Sequence, residues 1–184
     1  MQKIIIASDI HGSAHWCAEL LSAFENEQAD RLVLLGDLLY HGPRNDFPDE
    51  YSPRKVFEML NNMKEKITCV RGNCDSEVDQ MVLDFPMMDD YRVLPLGERT
   101  LYLTHGHLHA AEKPFTALNS GDLQVNGHFH VPTFKRLENG VLYANCGSVG
   151  LPKDGSPHSC MLVSENAIEW LDLATGKAFH TQKL

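Results

Sequence analysis

Apolar residues in the first half of the chain form short runs separated by a helical pattern. Residues 4–7 and 31–35 consist mostly of Ile, Leu and Val, which is typical of strands buried on both faces. The apolar positions between them repeat with helical spacing at Cys17, Leu20, Leu21 and Phe24. This spacing predicts a helix over 14–26 with Ser13 as its N-cap. Together the elements predict a right-handed strand–helix–strand unit with parallel strands.

A polar loop separates this unit from another helix and strand. Residues 40–52 are rich in Pro, Gly and Asp and predict a loop. Ser52-Pro53 predicts the start of the next helix, because proline suits the first helical position. The apolar face of that helix is expected at Val56, Phe57, Leu60 and Met63. Residues 67–70 predict the third strand.

The second half of the chain is mostly strand-like. Its short alternating or apolar runs are residues 100–104, 123–127, 141–145, 160–164 and 168–173. Asn139-Gly140 predicts a two-residue hairpin turn, and Glu165-Asn166 a weaker one. An α/β first half followed by a mostly antiparallel β half is best buried as two stacked sheets with helices outside.

Composition limits the class of protein. The 184 residues are enough for one domain, so a single domain over 1–184 is expected. A net charge of −9 argues against a broad nucleic-acid or membrane surface, which needs clustered Lys and Arg. The five cysteines are odd in number and form no C-x-x-C, which favours a reducing compartment. No segment reaches the roughly 20 apolar residues of a membrane span. We therefore expect a soluble, cytoplasmic protein.

Polar residues capable of binding metal follow five of the predicted strands. They are Asp9, His11, Asp37, Asn73, His105, His128 and His130. Each fragment alone is more often a turn or a helix cap. As an ordered set they point to one site, because ligands bind where the carboxyl ends of strands leave a sheet. Two carboxylates, four imidazoles and one amide suit zinc, manganese, iron, cobalt or nickel.

The number of these ligands indicates the chemistry. Seven are too many for one tetrahedral ion and suit two divalent ions that share a bridging carboxylate. Two such ions and two carboxylates leave a positive pocket in an acidic protein, which suits a phosphate group. Paired ions can activate water and clamp the oxygens of a phosphoryl group.

The ordered set resembles the calcineurin-like metallophosphoesterase superfamily, whose pattern is D-x-H, G-D, G-N-H-[DE], H and G-H-x-H. Residues 36–45 and 145–155 look like the YfcE-type phosphodiesterase subgroup. The resemblance covers nearly the whole chain. It implies an α/β fold with four layers, an α-β-β-α sandwich of two mixed sheets, with a dinuclear site between the sheet ends. Manganese is the favoured metal.

The resemblance also implies a role for each ligand. One ion would be held by Asp9, His11 and His130, and the other by Asn73, His105 and His128. Asp37 would bridge the two ions, and a hydroxide between them would attack phosphorus in line. The substrate would be a small phosphodiester, with no nucleic-acid surface and no membrane partner. Self-association into a homo-oligomer is left open.

Two positions depart from the superfamily pattern. Cys74 stands where a histidine commonly protonates the leaving oxygen or holds the phosphoryl group, so it is the candidate catalytic residue. A thiol is a weaker hydrogen-bond partner than imidazole, and Cys74 is alternatively a small buried residue. Tyr40 stands where many members carry a second aspartate, which leaves open what orients the neighbouring ligands.

Other candidates lie around the ligands. His41 and Arg44, in the loop after Asp37, are expected to contact phosphate oxygens, since Arg suits that geometry. His107 is either a neighbour that orients a ligand or a loop residue, and His109 is expected to be an ordinary loop residue. The alternatives to a phosphodiesterase are a phosphomonoesterase or nucleotidase of the same fold and a non-catalytic scaffold.

Overall fold

The computed structural model describes residues 2–184, which contain three α-helices, one 3-10 turn and eleven strands. The helices are α1 (Ala14–Asn26), α2 (Pro53–Asn61) and α3 (Glu77–Gln80), and the 3-10 turn is Lys64–Lys66. The strands are β1 (Ile4–Ala7), β2 (Arg31–Leu34), β3 (Ile67–Cys69), β4 (Tyr91–Leu96), β5 (Arg99–Thr104), β6 (Leu123–Asn126), β7 (Thr133–Arg136), β8 (Leu142–Asn145), β9 (Ser159–Val163), β10 (Ala167–Asp172) and β11 (Lys177–Lys183). In this part of the chain, no helix has the length and apolar character to cross a bilayer.

Both sheets are mixed, as expected. The first has the order β11-β10-β9-β1-β2-β3, in which β1, β2 and β3 are parallel and β9 to β11 are antiparallel. The second has the order β4-β5-β6-β8-β7, in which β5, β6 and β8 are parallel and the two edge strands are antiparallel. Parallel neighbours end at the same edge, so each sheet delivers several loops to one place.

One apolar core lies between the two sheets. Alternate residues of β5 and β6, such as Leu101, Leu103 and Val125, are fully buried against Ile4 and Ile6 of β1. A second apolar cluster lies between the first sheet and helices α1 and α2. Trp170 of β10 joins the sheets by a polar contact as well: its indole N–H donates to the carbonyl oxygen of Asn145 on β8, 2.8 Å away.

A loop, rather than a helix, covers the outer face of the second sheet. The amide nitrogen of Asn126 donates to the carbonyl oxygen of His109 at 2.6 Å. The main-chain N–H of Phe115 donates to Gln124. These contacts satisfy buried polar groups of β6. Residues 105–122 contain no helix, and the layer outside the second sheet is therefore a loop segment.

The elements predicted from the pattern are confirmed with small shifts at their ends. Ser13 caps α1, and its hydroxyl accepts from the N–H of Trp16 at 3.3 Å. Met63 lies beyond the end of α2. The hairpin at Asn139-Gly140 exists, but the prediction of a two-residue turn was wrong. The N–H of Leu137 donates to the carbonyl of Val141, which leaves three residues in the loop and a left-handed Gly140 at its end.

Candidate metal centre

Five of the seven predicted ligands have a left-handed backbone. They are Asp9 (φ 58°), His11 (φ 50°), Asp37 (φ 55°), His128 (φ 66°) and His130 (φ 63°). A non-glycine residue in this region costs on the order of 1–3 kcal/mol and persists only where the surroundings enforce it. Such residues cluster at functional sites. The loops after β1, β2 and β6 are therefore built to aim side chains.

Main-chain contacts hold these loops together. The N–H of Asp9 donates to the carbonyl of Gly36 at 3.0 Å, and the N–H of His11 donates to that of Asp37 at 2.9 Å. On the other side, the carbonyl of Asp9 accepts from the N–H of Gly150 and the hydroxyl of Ser148, each at 2.9 Å. The loop after β8 thus holds the backbone of Asp9 in place.

Asp75 has a structural role that sequence reasoning did not assign. Its carboxylate accepts from the N–H groups of Asp37 (2.8 Å), Leu38 (2.9 Å) and Gly72 (2.7 Å). Burial, and then the charge of Asp37, raise the pKa of Asp75 to about 6. The loops after β2 and β3 also touch directly, since a Cβ on Gly72 would lie 2.0 Å from Asp37 Oδ1. Only glycine permits this approach.

One ligand group forms around Asp9. His11 Nε2 lies 3.5 Å and His130 Nε2 3.3 Å from Asp9 Oδ1. All three residues are buried. Asp9 Oδ1 and His11 Nε2 are buried atoms with no hydrogen-bond partner, which is costly unless something else occupies them. A divalent cation fits this donor set and removes the cost.

A second ligand group forms around Asp37. His105 Nε2 lies 3.4 Å from Asp37 Oδ2 and 3.0 Å from the side-chain oxygen of Asn73. His11 Nε2 is 3.8 Å from the same Asp37 oxygen, so Asp37 faces both groups. The ring of His128 contacts that of His105, with centroids 5.0 Å apart, and the N–H of His128 donates to Asp9 Oδ2. The structure thus brings all seven predicted ligands together.

Main-chain carbonyls orient three of the histidines. The Nδ1 atoms of His11, His105 and His130 lie within hydrogen-bond distance of the carbonyl oxygens of Tyr40 (2.8 Å), Leu35 (2.7 Å) and Leu151 (2.5 Å). A proton on Nδ1 leaves Nε2 free as a metal ligand, the usual arrangement behind a ligating histidine. The orienting group at position 40 is therefore the backbone carbonyl oxygen, which a residue of any type supplies.

A cavity of about 430 Å³ opens onto both groups. Its wall includes His11, Asp37, Asn73, His128 and His130, together with Tyr40, Cys74, Arg44 and Lys153. Arg44 lies at this wall, and its predicted contact with phosphate oxygens stays a prediction. Lys153 lies there too, although sequence reasoning missed it, and its N–H donates to the carbonyl of His130 at 3.2 Å.

Three other histidines lie away from this wall. His41 packs among aromatic rings, with its Nδ1 3.4 Å from the hydroxyl of Tyr51. The ring of His107 contacts that of His105 at 5.4 Å, and its Nδ1 is buried without a partner. His109 stacks on Phe115 with centroids 3.9 Å apart, as expected of a residue without a role in the site.

Comparison with known proteins agrees with this geometry. The family model of the calcineurin-like phosphoesterase superfamily domain matches residues 2–167. The chain belongs to this superfamily. The curated phosphodiesterase YfcE of Escherichia coli strain K12 is 43% identical over 173 residues, covering 94% of this chain and 93% of YfcE. The predicted family and enzyme class, a metallophosphoesterase, are confirmed.

Solved structures extend the likeness to the fold. A structure of YfcE, a phosphoesterase from E. coli, matches with a TM-score of 0.93 and 41% identity, covering 98% of each chain. A Vps29 from Entamoeba histolytica, solved in complex with zinc, matches with a TM-score of 0.62 and 15% identity over 100% of this chain and 98% of its own. The second likeness concerns the fold alone.

At Cys74 this metallophosphoesterase differs from the superfamily pattern, which has a histidine there. Its Sγ accepts from the amide nitrogen of Asn73 at 3.2 Å, and its N–H donates to Asp37 Oδ1 at 2.7 Å. Burial, then the charge of Asp37, raise the pKa of the thiol to about 12. A neutral thiol therefore lines the cavity at the position of the usual histidine.

The buried carboxylates and imidazoles of the centre shift one another's pKa values. Burial opposes a charge on His105, but the carboxylates of Asp9 and Asp37 outweigh it and raise the pKa of this imidazole to about 9. Burial, and then the charge of His105, lower the pKa of His128 to about 4. Without a metal, a proton on His105 supplies the positive charge that the two carboxylates need.

Metal binding is therefore expected to release protons. At pH 7 an ion bound by His105 must displace the proton on its imidazole. The affinity for metal should therefore increase as the pH is raised toward about 9 and decrease as the pH is lowered. Titration calorimetry of Mn²⁺ into stripped protein, in two buffers of different ionisation enthalpy, measures the protons released. A binding heat that does not depend on the buffer contradicts the prediction.

Proposed function

We propose that the chain is a metal-dependent phosphodiesterase that hydrolyses small phosphodiesters with two divalent ions, preferably Mn²⁺. The supporting observation is the pair of ligand groups that share Asp37 at the floor of one cavity. Asp9, His11 and His130 would hold one ion, and Asn73, His105 and His128 the other. The ions would activate water and neutralise charge on the phosphoryl group.

The protein's own residues position the reactants. The carbonyls behind His11, His105 and His130 keep each Nε2 aimed inward, so the ligands need no rearrangement. Arg44 and Lys153 line the same cavity and would bind the non-bridging oxygens of the substrate. The Cys74 thiol would face the leaving group without being a strong acid.

A diester is favoured over a monoester because of Cys74. With a thiol pKa of about 12, this position gives little help to a poor leaving group. The monoesterase alternative needs such help in neutral water. A scaffold is disfavoured because a residue able to bind metal stands at every ligand position of the superfamily pattern. These residues form one cluster, and all but the more exposed Asn73 are buried or half-buried.

The decisive experiment is a panel of esters against a panel of metals. Stripped protein is reloaded with Mn²⁺, Zn²⁺, Fe²⁺, Co²⁺ or Ni²⁺ and assayed on bis(4-nitrophenyl) phosphate and 4-nitrophenyl phosphate. We expect turnover only after reloading, and faster turnover of the diester. Faster monoester hydrolysis would favour a monoesterase. Tight metal binding without turnover of any ester would favour a scaffold.

Loss of either cation at the cavity wall is expected to weaken substrate binding. Arg44→Ala and Lys153→Met should each raise KM about 5- to 30-fold with little change in kcat, because charge-assisted hydrogen bonds contribute on the order of 1–2 kcal/mol at partly exposed sites. Lys177→Met, on the exposed strand β11, is the matched control. Unchanged KM in both cavity variants would show that neither cation contacts the substrate.

The cysteines support a reducing location for this enzyme. All five are free, and four are buried, which is typical of structural thiols in a cytoplasmic protein. We therefore place the enzyme in the cytoplasm. Recovery of the native protein in a periplasmic or secreted fraction would contradict this assignment.

A further inference from the structure

The loop between β2 and α2 carries four aromatic rings in mutual contact. We call Tyr40, His41, Phe47 and Tyr51 the aromatic platform. Phe47 and Tyr51 stack with centroids 4.7 Å apart and planes at 21°, and His41 contacts Tyr40, Phe47 and Tyr51 at 4.8, 4.7 and 5.2 Å. Two of these rings face solvent: the exposed fraction is 68% for Phe47 and 41% for Tyr40.

The platform is held in place by the loop that carries His11. The N–H of Ser52 donates to the carbonyl of Gly12 at 2.8 Å, and the N–H of Ala14 donates to that of Glu50 at 3.1 Å. The hydroxyl of Ser13 donates to the carbonyl of Asp49 at 2.6 Å. The segment that carries Tyr51 is therefore anchored to the loop that carries His11, and the backbone of Tyr40 is anchored there by its carbonyl contact with His11 Nδ1, which lowers the ordering cost of binding.

The platform also lies on the Cys74 side of the centre. Tyr40 belongs to the wall of the metal cavity and to that of an adjoining apolar groove of about 280 Å³. Gly42, within the same loop, approaches Cys74 so closely that a Cβ there would lie 3.6 Å from its Sγ. A group that leaves phosphorus past Cys74 therefore departs toward these rings.

Resting on the proposed phosphodiesterase function, we propose that the aromatic platform binds a planar aromatic ester group of the substrate. Tyr40 lines the metal cavity, Phe47 adds exposed ring surface in the same cluster through its contact with His41, and aromatic rings prefer to stack on aromatic rings. For an aryl ester the thiol at position 74 is also suitable, because a phenolate leaves without strong acid assistance; this reason does not extend to a nucleoside, which leaves as an alkoxide. A nucleobase offers the same planar surface as an aryl group.

Two pairs of probes, measured by calorimetry on Mn²⁺-loaded protein, test this. Phenylphosphonate and cyclohexylphosphonate compare a planar with a non-planar ring and are measured at a pH where both phosphonates are dianions, and adenosine 5′-monophosphate and ribose 5-phosphate differ in the nucleobase. In the wild type we expect the planar member of at least one pair to bind about 5- to 10-fold more tightly. The Tyr40→Leu/Phe47→Leu double variant should remove this preference, whereas Tyr40→Phe and Phe47→Trp should retain it.

The outcomes separate the two proposals. Phe179→Leu, at an exposed aromatic residue on β11, is the control and should leave the preference unchanged. Preference in the nucleotide pair identifies a nucleoside ester, and preference in the phosphonate pair alone identifies a small aryl ester. No preference in the wild type, or a preference that survives the double variant, overturns the inference. Because binding is measured directly, failure of turnover overturns only the phosphodiesterase proposal.

Discussion

Replacing Asp37 with Asn is expected to lower kcat/KM for bis(4-nitrophenyl) phosphate by about 10³-fold or more. The Asp37 carboxylate faces His105 at 3.4 Å and His11 at 3.8 Å, so it belongs to both ligand groups. An amide removes one negative charge and places N–H hydrogens toward the ions. Removing a single preorganised electrostatic group already costs on the order of 10²–10³ in kcat. Here the same change also weakens retention of metal.

Metal content and activity are measured together on the purified variant. The matched control is Asp122→Asn, because Asp122 is also buried and accepts from main-chain N–H groups, at Thr100 and Asn119, but lies outside the centre. We expect Asp37→Asn to hold less than the wild-type metal while circular dichroism shows an intact fold. An Asp37→Asn protein with full metal and full activity would mean that Asp37 does not join the two groups.

Replacing Cys74 with His is expected to change which esters are hydrolysed. An imidazole with a pKa near 6.5 can donate a proton at neutral pH, whereas the thiol, with a pKa of about 12, is a poor partner for a departing oxygen. General acid catalysis contributes about 10²–10⁴-fold. We therefore expect kcat/KM for esters with alkyl leaving groups to rise up to about 10²-fold, and nitrophenyl esters to change much less.

The slope of log kcat/KM against leaving-group pKa checks this directly. The Cys74→His variant should show a shallower slope than the wild type, because proton donation matters most for the poorest leaving groups. Cys74→Ser, which is small and neutral like the thiol, should keep the wild-type slope. Equal slopes for all three proteins would mean that position 74 does not contact the leaving group.

Sequence reasoning found the elements and ligands whose causes are local. Residues 4–7 form a continuous apolar run, residues 14–26 repeat with helical spacing, and the ligands directly follow strands of this readily predicted kind. Two edge strands, β4 and β11, were not found. β11 is almost entirely exposed and polar, so it lacks the apolar alternation that predicts a strand, and Pro95 obscures β4.

The missing parts of the site depend on contacts between distant segments. Asp75 is informative only once Asp37, Leu38 and Gly72 are known to point their N–H groups at it. Lys153 reaches the cavity because its loop is tied to His130. The group that orients His11 is a backbone oxygen, which leaves no trace in the identity of residue 40. Such contacts cannot be read from periodicity or spacing.

The contacts around Asp9 fix when a growing chain can acquire its metal. The Asp9 carboxylate accepts from His128, 119 positions later, and its carbonyl accepts from Ser148, 139 positions later. His130, the third member of its ligand group, is oriented by Leu151. A ribosome-bound chain that ends before these residues have emerged holds Asp9 and His11 but no formed pocket for the ion. Metal uptake at this group is therefore expected only after the chain has been synthesised beyond Leu151.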